Sequence, residues 1–89
     1  MNRIPIEPGR VVISLAGRDE GRRFVVIEAD EGYAMIADGD LRKVDRPKKK
    51  KRKHLRATQE RIACVPDAKR PMDHEIRRAL TAIAPEEEG

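Results

Sequence analysis

Apolar and polar positions alternate in short bursts through the first two thirds of the chain, and the period changes near its end. Val11, Ile13 and Leu15 share one face of a β-branched segment at period two, which predicts a strand over 11–15, with Gly9 as a turn residue before it. Ala16–Gly21 is then a polar loop between apolar runs. Phe24–Ile27 is apolar without interruption, as expected of a strand buried on both faces or crossing a barrel. Asp30-Glu31-Gly32 predicts a hairpin turn with Gly32 available for the left-handed region, and Tyr33–Ala37 a third strand. Asp38-Gly39-Asp40 predicts a second tight turn and Leu41–Val44 a short fourth strand. Pro47 has no N–H for a ladder, so it is expected to end that strand and leave the residues after it on a loop. His54–Thr58 returns as a fifth strand.

Short strands separated by turn signals at this spacing point to a small barrel or sandwich. The expected fold is therefore mainly β, a small SH3-like five-stranded barrel over residues 6–58, because that length suits such a barrel better than a seven-stranded sandwich. Past Thr58 the composition shifts. Gln59–Val65 is ambiguous, and Pro66 and Pro71 bracket a linker, taken as 59–71. Asp73 is the expected N-cap of a C-terminal helix over 72–84, with Ile76, Leu80 and Ile83 at i, i+4 and i+7 and Pro85 as its stop. That stripe is narrow; it packs on the open side of the barrel or docks on a partner. Residues 85–89 form an acidic tail expected to fray.

Composition makes the core lean. With 89 residues, 38% hydrophobic and 40% charged, the chain has room for one small domain and an appendage. A domain of about 60 residues buries only about 60% of the surface its unfolded chain exposes, which excludes a two-domain enzyme built around a cleft. Phe24 and Tyr33 are the only aromatic residues, which argues against a base-stacking platform. Cys64 stands alone, so no internal disulfide is expected and a reducing, cytoplasmic setting fits. The longest apolar run, Tyr33–Ala37, is far short of the ~20 residues that span a bilayer. Met1–Pro5 has no apolar stretch of the signal-peptide kind. No membrane partner is expected.

Charge is less evenly spread than the net value of +4 suggests. Arg46–Arg56 carries eight Lys or Arg and no acid, whereas the segments before and after it are each −2. Packing Lys48, Lys49, Lys50, Lys51, Arg52 and Lys53 together costs roughly 0.6 kcal/mol per neighbouring pair at ~7 Å in water, before screening by salt. A phosphate backbone reverses that sign, because each neutralised phosphate releases condensed counterions. The run is a nucleic-acid contact, a solubilising loop or a nuclear-import signal.

Gly9–Val26, with its strand, glycine-containing loop and second strand, resembles a KOW motif of the kind found in ribosomal proteins and transcription elongation factors. Ile36–Lys43, Pro47–Lys50 and Lys53-His54-Leu55 extend the match to about residues 9–58. The whole resembles small bacterial KOW-domain RNA-binding proteins, which are similar to certain archaeal and eukaryotic large-subunit ribosomal proteins. The resemblance implies an SH3-like barrel that binds structured RNA, ribosomal RNA above all, with the Ala16–Gly21 loop in contact with it. Gly21 aligns with the motif's characteristic glycine, where backbone freedom would be needed at the loop exit.

The expected RNA-binding set is Gly17, Arg18, Gly21, Arg22, Arg23, Arg42, Lys43, Lys48, Lys49, Lys50, Lys51, Arg52, Lys53, His54 and Arg56. Arginine forks suit bidentate phosphate contact and lysines act as mobile point charges. With so few rings, shape and charge rather than base sequence would set preference. No catalytic or cofactor-binding constellation is expected. His54 and His74 lack metal-ligand spacing, Cys64 is read as an idle thiol, Asp38 and Asp40 as turn residues, and Ser14 has no identifiable histidine partner. A non-enzymatic, monomeric RNA-binding module is the leading expectation. The alternative is a protein-interaction module that docks on ribosomal proteins or the transcription machinery.

Overall fold

The computed structural model describes residues 4–62 and 72–82. They form five strands, β1 (Arg10–Ser14), β2 (Arg23–Ala29), β3 (Tyr33–Ala37), β4 (Lys48–Lys51) and β5 (Leu55–Arg61), and one helix, α1 (Asp73–Ala82). Single 3-10 turns occupy Gly17–Asp19 and Arg52–His54. All strand pairs are antiparallel in the order β4-β3-β2-β1-β5, with β4 and β5 at the edges and not paired to each other. The protein is thus mainly β with a C-terminal helix, as the periodicity predicts, and its sheet is not closed.

Alternation along the inner strands builds two cores, one on each face. Val11, Val25, Ile27 and Ala37 face α1 and bury Ile76 with Val44; Met35, Ile62 and Leu80 lie at the margin. Val12, Phe24, Val26, Ala34, Ile36 and Leu55 face the other way, with Ile6, Ala29 and Ala57 around them. Phe24–Ile27 is therefore buried on both faces, as its unbroken apolar run predicts. Ile27 is the extra residue of a β-bulge: Val26 pairs with Ile36 and Glu28 with Met35.

The fourth strand departs from expectation. Leu41–Val44 is not a strand. It belongs to a loop organised by Asp38, whose Oδ1 accepts from the N–H groups of Asp40 and Arg42 at 2.9 and 2.8 Å. The lysine run is a strand rather than a loop, with Lys48 opposite Ile36 and Lys51 opposite Tyr33. Pro47 stands just before its first residue, where a missing N–H costs no ladder bond. An edge position also accommodates lysines, because exposed Lys49 and Lys51 can lay their stems along the sheet and keep their ammonium groups in water.

Three smaller corrections have local causes. Gly32 does not adopt a positive φ, because the Asp30 carboxylate closes the turn by accepting from the N–H groups of Gly32 and Tyr33 at 3.0 and 2.8 Å. Asp73 does not cap its own helix. Its Oδ1 accepts the Val44 N–H at 2.8 Å, and the helix start is held instead by Glu75 Oε1, which accepts the Met72 N–H at 2.8 Å. Finally, β5 runs to Arg61, beyond the expected barrel boundary at residue 58, and the Ile62 N–H bonds to the Gly9 carbonyl at 2.8 Å. The rest of the expected linker, Cys64, Ile83 and the acidic tail lie outside the described residues.

Candidate nucleic-acid interface

Parity divides the lysine run in two. Lys49 and Lys51 are exposed, whereas Lys48 is half-buried and Lys50 only 9% exposed. Side chains of successive strand residues point to opposite faces, so a run of identical residues becomes two pairs with different surroundings.

Lys48 and Lys50 reach the loop after β1. Lys50 Nζ donates to the Ala16 carbonyl at 2.9 Å, and Ser14 Oγ donates to the same oxygen at 3.1 Å. Lys48 Nζ bonds to Asp19 Oδ2 at 2.6 Å. That ammonium hydrogen bond holds the Asp19 carboxyl below its ordinary range despite partial desolvation, with Lys48, Lys50 and Arg42 adding favourable charge. The loop itself turns through Gly21, whose φ of +88° lies in the left-handed region that favours glycine. Gly17 also has a positive φ, and Arg18 beside it is exposed.

Lys49 and Lys51 belong to a second surface. Lys49 Nζ lies 4.5 Å from the centroid of the Tyr33 ring, a cation–π distance. Arg52 turns back to donate to the Asp30 carbonyl at 2.7 Å, and Lys53 is exposed beside it. His54 is half-buried, and its carbonyl accepts the Leu15 N–H at 2.8 Å.

The remaining expected residues lie elsewhere. Arg23 and Arg56 are both register partners of Ile13, so the two arginines flank it in one cross-strand row. Arg22 pairs with buried Asp38 at 3.3 Å while leaving 45% of its side chain exposed. Arg22 and Arg23 line a groove with Asp38, Asp40 and two helix residues, Arg77 and Leu80. Arg42 and Lys43 are exposed on the loop before β4, Arg42 within electrostatic reach of Asp19.

The expected set is therefore brought together in part. Lys48, Lys50 and Arg42 gather around Asp19, Lys49, Lys51, Arg52 and Lys53 around Tyr33, and Arg22 and Arg23 beside α1, while Arg18 is exposed on the turn at Gly17–Asp19. Sequence reasoning missed Asp19 and Tyr33. Asp19 neutralises one lysine, and Tyr33 is an exposed ring among cations. The one available signal was the period-two alternation of the lysines, once β4 is recognised as a strand. Among the described residues no group of three or more His, Cys, Asp or Glu converges to hold a metal, and no helix is long and apolar enough to cross a membrane. No family model matches the chain.

Proposed function

We propose that this protein is a non-enzymatic RNA-binding module that grips structured RNA, with ribosomal RNA as the foremost substrate, through the Ala16–Gly21 loop and the cationic edge strand. The observation that carries this reading is the physical joining of those two segments by Lys50–Ala16 at 2.9 Å and Lys48–Asp19 at 2.6 Å. The join holds the Ala16–Gly21 loop, with exposed Arg18, against the edge strand that carries exposed Lys49 and Lys51, two segments distant in sequence. A polyanion is the ligand that rewards such convergence, because neighbouring cations repel in its absence.

The finer fold reading, an SH3-like barrel as in KOW domains, draws support from the same contacts. In a flat sheet β4 would stand three strand spacings from β1, ~14 Å away, farther than a lysine side chain spans. The bond from Lys50 to the residue beyond β1 calls for a sheet that curls on itself. So does the burial of Phe24, Val26 and Ile36 on the face opposite α1.

The protein-interaction alternative relied on the helix stripe. Ile76 is fully buried against the sheet, so that residue is already used within the chain.

Filter retention of a folded ribosomal RNA fragment at stepped salt tests the proposal. If about five phosphates are neutralised, log affinity falls with log salt at a slope of about −3.5 to −4.5. The Lys49→Glu, Lys51→Glu double variant should abolish retention while melting like the parent. A nearly flat salt response rejects the reading. Crosslinking in cells followed by sequencing of the attached RNA then separates a ribosomal role from a regulatory one.

A further inference from the structure

The geometry points to Tyr33 as a stacking platform for one unpaired nucleobase, with Lys51 and Lys53 taking the phosphates on either side of it; this rests on the RNA-binding reading above. The two aromatic side chains of the chain have opposite fates. Phe24 is 1% exposed in the core, whereas Tyr33 is 37% exposed. Lys49 Nζ lies over the Tyr33 ring, and Lys51 is its cross-strand partner.

The ring also lines an open groove of ≈ 380 Å³ with Glu31, Gly32, Lys51, Arg52 and Lys53. Gly32 contributes no side chain to fill that groove, and a Cβ at this position would meet nothing within 4 Å. Glu31 turns phosphates away from its own end, toward Lys51 and Lys53.

The backbone beneath the ring is held from several directions. The Tyr33 N–H donates to Asp30 Oδ1 at 2.8 Å, and the Tyr33 carbonyl accepts from the Asp30 N–H at 2.9 Å. Arg52 ties the same turn to the end of β4, donating from its N–H to the Gly32 carbonyl at 3.0 Å and from its guanidinium to the Asp30 carbonyl at 2.7 Å. A ring fixed in this way loses little freedom when a base stacks on it. The surrounding charge selects the occupant. An apolar peptide side chain gains nothing from four neighbouring cations, whereas a base brings a π-face together with its own phosphates.

Tyr33 is the only tyrosine and there is no tryptophan, so the emission of the intact protein reports on this ring. The test titrates the full chain with an RNA hairpin carrying a single-nucleotide bulge, and with the same hairpin carrying an abasic site at the bulge. The bulged hairpin should quench tyrosine emission and the abasic one should not. Tyr33→Leu should weaken the bulged hairpin about 5- to 100-fold and leave the abasic one unchanged, whereas Tyr33→Phe should bind both like the parent. Equal affinity for the two hairpins without differential quenching overturns the platform and leaves the RNA-binding reading standing. Failure to bind either hairpin overturns both.

Discussion

The Lys50 ammonium donates a hydrogen bond to the carbonyl of Ala16, just beyond β1, from a side chain only 9% exposed. Its neighbour Lys51 is exposed and faces the other way. The two residues are chemically identical, and the strand gives one to the architecture and the other to the solvent. Lys50→Glu should therefore destabilise the protein by about 2–4 kcal/mol, because it buries a carboxylate against a carbonyl. Lys51→Glu should stay within about 0.5 kcal/mol of the parent. Urea melts of the two variants check this; equal midpoints would contradict the assignment.

The Lys48–Asp19 pair makes stability depend on pH at the acid end. Asp19 has a folded pKa below its unfolded value, chiefly through the Lys48 hydrogen bond. Its stabilisation is complete above the unfolded pKa of about 3.8 and is lost as pH falls through the lower folded value. Asp19→Asn should cost about 1 kcal/mol at pH 7, and the difference from the parent should shrink as pH falls below about 3.8. Melting temperatures measured across that range decide the matter.

Gly39 lets the helix approach the sheet. Its φ is +78°, and a Cβ there would overlap the Asp73 carbonyl oxygen and crowd the Arg77 side chain. Arg77 also donates to the Gly39 carbonyl. Gly39→Ala should cost about 2–4 kcal/mol, combining left-handed strain with the displacement of α1. Hydrogen exchange should show the loss first at the amides of 73–82.

Two apolar residues, one on α1 and one in the loop between β3 and β4, should respond oppositely. Ile76→Ala should cost about 2–5 kcal/mol, since Ile76 is wholly buried among Val11, Val25 and Val44. Leu41→Ala should be nearly silent, because Leu41 is 66% exposed. Denaturant midpoints of this pair separate a docked helix from a loosely tethered one.

The first three strands were legible because β-branched runs and polar turns agree on them. Tyr33–Ala37 matches its expected bounds residue for residue. The fourth was misplaced because its evidence lay in tertiary structure. Leu41 and Val44 look like strand residues, yet Val44 is buried by α1 and Leu41 is left in water, while four lysines of modest β-propensity take the ladder that β3 offers. The same dependence on a distant partner hid the role of Asp73, whereas Asp30 acts within its own turn. Asp73 had a local use readable from sequence as an N-cap, and a residue 29 positions away took precedence. The cationic character of the candidate site was visible from composition. Its division between two surfaces was not, because parity acquires meaning only once a strand is known to exist.

Because β4 forms a free margin of the sheet, its lysines also guard the molecule against self-association. An unpaired strand edge recruits other strands, and clustered ammonium groups oppose that by mutual repulsion between copies. Alanine replacement at Lys49 and Lys51 would weaken that guard as well as any affinity for a polyanion, so lost binding and incipient aggregation would arrive together. Glutamate at the same positions keeps the margin charged, and solubility then serves as an internal control on every binding measurement.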